Sequence, residues 1–290
     1  MHKHKFRSTL IGFSAVLLWS TLALLTKLAG AIPPLELTAL TFAVATLIGI
    51  VMWSRQGGSI LTHLRLPASA WAVGVFGLFG YHLVYFIALQ NAPAAEASLI
   101  AYLWPLLIVL FSALLPNERL YWFHIIGALI GFAGAALLLT KGQQLVIDAR
   151  YSLGYLAALA CAFIWSIYSV LSRRLGAVPT SAVGGFCAVT AVLSLLAHLM
   201  VEETVWPSLA QWLPILALGL GPVGLAFFTW DHGVKHGDIQ TLGVLSYAAP
   251  LLSTILLVVT GQAAASWLLG FSCLMIVGGA LLASGILSKK

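Results

Sequence analysis

The chain has 290 residues, of which 61% are hydrophobic and 8% are charged, whereas charged residues make up roughly a quarter of a typical soluble domain. This composition excludes an ordinary soluble domain and predicts an integral membrane protein. The formal net charge of +6 does not indicate nucleic-acid binding, because that function needs a basic face on a folded soluble surface.

Apolar stretches of membrane-spanning length follow one another along the whole chain. A helix needs about 20 mostly apolar residues to cross the hydrocarbon core of a bilayer. The sequence therefore predicts an all-α integral membrane protein with ten transmembrane helices, short connections and almost no domain outside the membrane. The stretches are 9–29, 36–53, 70–90, 96–115, 121–140, 153–172, 181–201, 212–234, 239–260 and 264–287.

The distribution of Lys and Arg between these stretches predicts the orientation. If the N-terminus is cytoplasmic, eleven of these residues lie on the cytoplasmic side, including Lys289 and Lys290 near the C-terminus. The other three, Lys27, Lys141 and Arg150, lie outside. Cytoplasmic segments of membrane proteins carry the excess of Lys and Arg. Both termini are therefore predicted to be cytoplasmic.

The two halves of the sequence repeat each other. The segment "AVLLWSTLALLTKLAG", residues 15–30, aligns with "CAFIWSIYSVLSRRLG", residues 161–176. Further matches keep the same offset of 145 or 146 residues and the same order. The aligned pairs are Trp19 with Trp165, Lys27 with Arg173, Tyr102 with Tyr247, and Pro105 with Pro250.

Each half contains five of the predicted helices, so the second copy must enter the membrane from the opposite side. We expect two inverted five-helix repeats, 1–145 and 146–290, around a central cavity. Inverted repeats are typical of secondary transporters, in which the substrate binds near the midplane and access alternates as one repeat moves against the other.

Pro105 and Pro250 interrupt the fourth and ninth helices near the middle of the membrane. A proline has no amide hydrogen to donate to the carbonyl four residues before it, here Ala101 and Ser246. Backbone groups opened in this way are tolerated in a membrane only where protein or a water-filled cavity satisfies them. These prolines therefore favour a position of both helices against the central cavity, although a simple kink in a packed helix is an alternative.

Several motifs resemble one transporter superfamily. They include Trp-Ser near the middle of the first and sixth helices, "ALQNAPAAEASLIAYLWPLL" at 88–107 and "NERL" at 117–120. With the doubled five-helix unit, they make the chain resemble the drug/metabolite transporter superfamily, the ten-helix EamA-type carriers, over essentially its whole length. The second half departs from the pattern, because Gln262-Ala263 stands in the loop where the Glu118-Arg119 dipeptide would recur.

Within that superfamily the chain looks most like the YddG-type aromatic amino acid exporters. The segments that carry this likeness are "AYLWPLLIVLFSALL" at 101–115, "AFIWSIYSV" at 162–170 and "VKHGDIQTLGVLSYAAP" at 234–250. The resemblance implies export of phenylalanine, tyrosine, tryptophan and similar small solutes across the bacterial cytoplasmic membrane by alternating access. We expect a monomer in contact with membrane lipid, without a cofactor, a metal or a nucleic-acid partner.

Aromatic and small polar residues near mid-membrane are the candidates for binding such a substrate. A ring with a zwitterionic head needs apolar or aromatic walls and a few placed polar groups. Trp104 lies about 200° from Tyr102 around an ideal helix, so it joins the wall only if the proline kink turns it inward. Packed or lipid-facing positions are the alternative for each aromatic residue. The predicted binding residues are Trp19, Tyr81, His82, Tyr85, Ser98, Tyr102, Trp104, Pro105, Trp165, Tyr168, Tyr247 and Pro250.

Ionisable residues add further hypotheses. His82 lies well within a helix, where such groups are costly and usually functional or paired; it could bind the substrate carboxylate, couple protons, or be a packed neutral histidine. Lys27 and Arg173 lie near helix ends, where long side chains can reach the headgroups. Asp231 and Lys235 are spaced for a helical ion pair, which would form either a gate or part of a solvated turn.

Other functional classes fit the sequence less well. An enzyme would need a catalytic set within the helices, and there is no Walker loop, HExxH or GxSxG motif. A channel would usually show rings of charge or a carbonyl filter. The alternative that remains is a carrier of the same fold for another metabolite or drug.

Overall fold

The computed structural model of the chain describes residues 2–116, 118–144, 148–262 and 264–284. Within these residues, nine helices are long and apolar enough to cross a membrane, and a tenth apolar helix is shorter. The all-α architecture predicted from the sequence is confirmed. The helices are α1 (Lys3–Ala29), α2 (Pro34–Gln56), α3 (Ala68–Asn91), α4 (Ala94–Leu114), α5 (Trp122–Leu139), α6 (Ala149–Arg174), α7 (Thr180–Val201), α8 (Leu209–His236), α9 (Ile239–Val259) and α10 (Trp267–Ala283).

Irregular turns recur at equivalent places in the two halves. α3 contains a π-helical turn at Phe76–Gly80, and α8 contains one at Gly221–Leu225, 145 residues later. α4 is interrupted after Ala101 and resumes at Trp104, and α9 is interrupted after Leu245 and resumes at Ala248. The fold thus consists of two repeats of five helices, inverted relative to each other, that share both regular and irregular features.

Helices of the first half pack directly against helices of the second half. α2 crosses α7 so closely that a Cβ atom on Gly49 would lie 2.5 Å from the Cα atom of Gly184. α1 crosses α8 in the same way, with 2.9 Å between a Cβ on Gly12 and the Cα of Gly233. Small residues at such crossings let helix backbones approach each other in membranes. The halves are therefore interleaved rather than side by side.

Hydrogen bonds and ion pairs gather the connections into two groups, one at each end of the helix bundle. We call the first group the Arg173 end; it contains Lys5, Glu118, Arg173, Thr180 and Asp238. The opposite group, the Glu202 end, contains Ala29, Leu35, Glu202, Gln211 and Gln262. The predicted topology counted Lys289 and Lys290, which lie outside the described residues.

Candidate functional site

Four tryptophans meet at the centre of the helix bundle, and we call them the tryptophan cluster: Trp19 of α1, Trp104 of α4, Trp165 of α6 and Trp230 of α8. The ring centroid of Trp19 lies 5.1 Å from that of Trp230 and 5.6 Å from that of Trp165. The centroids of Trp104 and Trp230 are 5.7 Å apart. Each half of the chain contributes two of the rings, so the cluster joins the repeats at an apolar, uncharged centre.

The interruption of α4 places Trp104 in this cluster. The helix stops after Ala101 and restarts at Trp104, so the angle expected on a continuous helix does not apply. Trp104 is only 6% exposed, and its carbonyl accepts a hydrogen bond of 3.0 Å from Ser166 Oγ. The spacing of a continuous helix predicts that Trp104 points away from the wall of the binding site, whereas in the structure it lies within the tryptophan cluster.

Hydrogen bonds to the ring nitrogens fix two of the tryptophans. Trp19 Nε1 donates to the carbonyl of Pro222, 3.1 Å away, within the π-helical turn of α8. Trp230 Nε1 donates to Ser169 Oγ at 3.1 Å. A buried indole N–H normally needs such a partner. With these groups satisfied, the ring faces and edges are left for apolar contacts.

Sequence reasoning missed Trp230 and its neighbour Phe227. The ring of Phe227 stacks on Phe42 at a centroid distance of 5.6 Å and lies 5.8 Å from Trp165. The repeat offset of 145 residues carries a signal for both, since it maps Phe227 onto His82 and Trp230 onto Tyr85. Extending the alignment to α3 and α8 would have identified them.

Tyrosine side chains from α3 and α4 lie beside the tryptophan cluster. The rings of Tyr81 and Tyr85 stack at 5.8 Å, and Tyr81 lies 5.6 Å from Trp165. Tyr85 Oη and Ser98 Oγ share a hydrogen bond of 3.2 Å. Tyr102 lies 6.5 Å from Trp104. The structure thus brings these predicted residues together, and their side chains are half-buried rather than sealed.

His82 is held in one tautomer by the backbone. Its Nδ1 lies 2.7 Å from the carbonyl oxygen of Leu78. A carbonyl only accepts hydrogen bonds, so Nδ1 carries the hydrogen, and in the neutral ring Nε2 is an acceptor. The ring is perpendicular to that of Phe42 at 5.1 Å. Neutral His82 therefore offers an acceptor to a cationic group, whereas binding a carboxylate would require its protonation.

Three predicted residues are buried more deeply than these tyrosines. Tyr247 is fully buried, packs against Ala135 and Ile276, and accepts a 3.1 Å hydrogen bond from the Leu106 amide. Tyr168 is buried behind Trp165, at a centroid distance of 5.1 Å, and its hydroxyl has no partner among the described residues. Pro250 is buried at the interruption of α9. These side chains support the site from behind rather than face it.

The Arg173 end is closed by a network of charged and polar groups. The Arg173 guanidinium donates to the Glu118 carboxylate and to the carbonyls of Val234 and Gly237, at 2.7 and 2.9 Å. Lys5 Nζ lies 3.0 Å from Asp238 Oδ2. These bonds join α1, α6 and the connections α4–α5 and α8–α9. Arg173 therefore binds protein groups instead of reaching to lipid headgroups.

Asp238 shows the electrostatic character of this network. Burial alone would raise the pKa of its carboxyl, but the hydrogen bond from the Thr241 amide and the positive charge of Lys5 together lower that pKa below the ordinary value. The Asp238 carboxylate also caps α9 through the same amide, at 3.0 Å. The ionised form is therefore the one that holds this end together.

Asp231 and Lys235 form an ion pair inside the protein. Lys235 Nζ lies 2.8 Å from Asp231 Oδ2, and the two side chains are 4% and 2% exposed. Thr180 Oγ1 donates to the same carboxylate oxygen at 2.7 Å, and Lys235 donates to the carbonyl of Val178 at 2.9 Å. The pair ties α8 to the α6–α7 connection and to the start of α7, so it is a buried lock and not a solvated turn.

A second polar cluster, missed from the sequence, lies at the Glu202 end. The Glu202 carboxylate accepts hydrogen bonds from the amides of Leu35 and Glu36, at 3.0 and 3.2 Å, at the N-terminus of α2. His198 Nδ1 lies 2.9 Å from the same carboxylate. Negative charge is favourable at a helix N-terminus. Across the described residues, no group of three or more His, Cys, Asp or Glu could hold a metal ion.

Comparison with known proteins identifies the family. The EamA-like transporter family matches residues 7–140 and again residues 152–285. The aromatic amino acid exporter YddG of Ancylobacter novellus is 57% identical over 278 residues, which cover 96% of each chain. The exporter of the same name from Escherichia coli K12 is 27% identical, over 95% of this chain and 96% of that protein.

A solved crystal structure supports the same conclusion. It matches with a TM-score of 0.92 and 56% sequence identity, and the match covers 97% of this chain and 99% of the other. The interleaved repeats, the paired irregular turns and the double family match together show that this chain belongs to the EamA-like transporter family.

Proposed function

We propose that this protein exports phenylalanine, tyrosine, tryptophan and similar small solutes across the bacterial cytoplasmic membrane by alternating access. The observation that carries this proposal is the tryptophan cluster, to which both repeats contribute, with half-buried tyrosine hydroxyls and His82 beside it. Two relatives that cover nearly the whole chain are aromatic amino acid exporters.

The aromatic ring of the substrate would contact the rings of the site. Aromatic pairs prefer edge-to-face or offset arrangements with centroids 4.5–7 Å apart. Trp19 and Trp104 are already edge-to-face at 6.2 Å, and Tyr81 and Trp165 are tilted at 5.6 Å. A substrate ring entering between such pairs replaces one aromatic contact with another, so the site favours flat aromatic solutes over aliphatic ones.

The zwitterionic head of the substrate would bind on the tyrosine side. The acceptor Nε2 of neutral His82 suits the α-ammonium group, and the hydroxyls of Tyr81, Tyr85 and Ser98 can donate to the α-carboxylate. These neutral groups match a head whose two charges cancel. A site for a cationic drug would instead need an unpaired carboxylate, and Asp231, the buried acid next to the cluster, is paired with Lys235.

The repeats supply the means of alternating access. Tyr81 and His82 directly follow the π-helical turn of α3, and Phe227 follows that of α8 after one residue. π-helical turns are frequent at functional sites and mark local departures from regular helix. We infer that helices of the two repeats, which meet near residues 145 and 146 in the sequence, move about these turns, and that one chain suffices for transport because it supplies every group of the site.

We further propose that the Arg173 end faces the cytoplasm, with both termini on that side. The excess of Lys and Arg at this end supports the assignment. Single cysteines at Ala177 and Gln143, exposed residues at opposite ends, would test it in intact cells with a membrane-impermeant maleimide. Labelling of the Gln143 position alone is expected, and labelling of the Ala177 position alone would reverse the topology.

Transport in reconstituted liposomes tests the substrate assignment. Labelled tryptophan or phenylalanine should accumulate above the level in empty liposomes, and unlabelled aromatic amino acids should compete. Uptake of an unrelated metabolite without uptake of aromatic amino acids would instead support a carrier of the same fold for another solute. Alanine at Tyr81, His82 or Tyr102 should reduce transport but not membrane insertion, whereas alanine at Trp122, which is 66% exposed, should change neither.

A further inference from the structure

Each repeat contributes its first helix to a side-chain bond with the other repeat, and the two bonds lie at opposite ends of the molecule. Lys27 and Arg173 align at an offset of 146 residues, and Gln262 lies in the connection that corresponds to that of Glu118, one residue before the aligned position at an offset of 145. In the structure Arg173 binds Glu118, and Lys27 binds Gln262. We call these two bonds the Arg173–Glu118 latch and the Lys27–Gln262 latch. Each latch joins the first helix of one repeat to the connection between the last two helices of the other repeat.

The Arg173–Glu118 latch is charged, enclosed and multiply bonded. The side chains of Arg173 and Glu118 are 18% and 10% exposed. Arg173 also donates to the carbonyls of Val234 and Gly237, which end α8. Hydrogen bonds between ionised partners are stronger than neutral ones, and the enclosure limits screening by salt. Opening this end requires all of these bonds to break together.

The Lys27–Gln262 latch is weak by comparison. Lys27 Nζ donates to Gln262 Oε1 at 2.5 Å, and both residues are exposed. The acceptor is a neutral amide, so the bond is not an ion pair. Water can replace either partner as soon as the side chains separate.

The bond of Glu202 to α2 joins two helices that are held together at both ends of the bundle. Glu202 binds the start of α2, but α2 and α7 are also bonded at the Arg173 end, where Trp53 Nε1 donates to the carbonyl of Ser181 at 3.0 Å. These two helices therefore stay together along their whole length. Each latch, in contrast, joins the two repeats at one end of the bundle only.

We propose that the two latches are corresponding gates of unequal strength: the ionic Arg173–Glu118 latch holds the Arg173 end closed, and the neutral partner of Lys27, Gln262, favours opening at the Glu202 end. The proposal rests on alternating access, but it makes no use of the identity of the substrate. It assigns Glu118 and Gln262 as positioning residues that set which side of the membrane the empty carrier faces.

Distances between spin labels test this directly in the reconstituted carrier. One label pair, at Leu114 and Ala177, spans the Arg173 end, and a second, at Thr26 and Thr260, spans the Glu202 end; all four positions are exposed. The labels require replacement of Cys161, Cys187 and Cys273 by alanine, and this background is checked for export before labelling. Pulsed electron spin resonance then gives the populations of short and long distances at each end without any substrate.

We expect a single short distance for the Leu114/Ala177 pair in the parent protein. Glu118→Gln should raise the long-distance population of this pair about tenfold, because the Arg173 charge loses its counterion. Gln262→Glu should raise the short-distance population of the Thr26/Thr260 pair, because it gives Lys27 an ionic partner. Since Gln262 is exposed, the second variant does not depend on a buried change that could prevent folding.

Matched variants separate the latch from the net charge. Glu203→Gln removes one acidic charge from an exposed residue, and Gln143→Glu adds one at the Glu202 end. Both should leave the distance populations unchanged. The proposal is overturned if Glu118→Gln and Gln262→Glu leave both distributions as they are, or if the matched variants shift them equally. If the variants shift the distances as expected but the carrier does not transport aromatic amino acids, the proposed substrate is rejected and the proposal about the latches is supported.

Discussion

The hydroxyl oxygen of Tyr247 lies 3.1 Å from the amide nitrogen of Leu106 and accepts its hydrogen bond. α4 restarts at Trp104, so Leu106 lies in the first turn, where amides have no carbonyl partner within their own helix. The tyrosine that repeats Tyr102 in the second half thus satisfies the backbone that the interruption of α4 exposes. It stabilises the shape that brings Trp104 into the cluster.

Tyr247→Phe should therefore destabilise the protein. The change leaves the amide of half-buried Leu106 without an acceptor, at a cost of about 1 kcal/mol. Thermal unfolding in detergent should show a lower midpoint. Tyr155→Phe is the matched control, since the Tyr155 hydroxyl is buried without a partner in the described part of the chain. An equal loss of stability in both variants would show that the bond to Leu106 contributes nothing.

Trp230→Phe should weaken binding of tryptophan. Phenylalanine keeps a ring against Trp19 and Trp104 but presents less area and cannot donate to Ser169. We expect the KM for tryptophan export to rise about fivefold, equivalent to about 1 kcal/mol of lost aromatic contact. Trp206→Phe, at a residue 86% exposed, should leave KM unchanged. Similar KM values for both variants would remove Trp230 from the site.

Gly77→Ala should impair both stability and transport. A Cβ at this position in the π-helical turn of α3 would overlap the ring of Tyr168, which is itself packed behind Trp165. Overpacking of this kind costs about 1–3 kcal/mol. Gly278→Ala in α10 meets no atom within 4 Å and should stabilise the helix by about 1 kcal/mol. Unfolding midpoints that move in the same direction would contradict this pair of predictions.

The contribution of Asp238 should depend on pH. Its folded-state pKa is lower than the ordinary value of 3.8, so its stabilising effect is present above that value and is lost as the pH falls through the folded-state pKa. Asp238→Ala, which removes the cap of α9, should cost about 1 kcal/mol near neutral pH. The difference in unfolding midpoint from the parent should shrink below about pH 4. A difference that grows on acidification would show the opposite linkage.

Hydrophobic stretches and the repeat offset were sufficient to predict the ten-helix fold. Each membrane-crossing helix needs enough apolar length, so composition alone locates it, and the predicted limits differ from the observed helices by a few residues. The side chain directions in the site were harder to predict. The direction of the Trp104 side chain depends on the interruption of α4, because two non-helical residues change the rotation about the helix axis of every side chain that follows.

Residues that act in pairs were the least predictable. Arg173 and Lys27 occupy aligned positions in the two repeats, yet Arg173 is enclosed by carbonyls and a carboxylate and Lys27 is exposed. Asp231 and Lys235 have the spacing of a surface ion pair, and only the approach of Thr180 and Val178 shows that they are buried. These differences arise from contacts between segments more than 50 residues apart, which single-sequence patterns do not contain.

The π-helical turns at Phe76–Gly80 and Gly221–Leu225 also bear on the evolution of the fold. Such a turn accommodates one more residue than the regular helix around it. A single insertion before duplication explains the two turns more simply than two independent insertions at corresponding positions of the repeats. The extra residue was therefore present in the five-helix ancestor before its gene was duplicated, and this irregularity is older than the carrier itself.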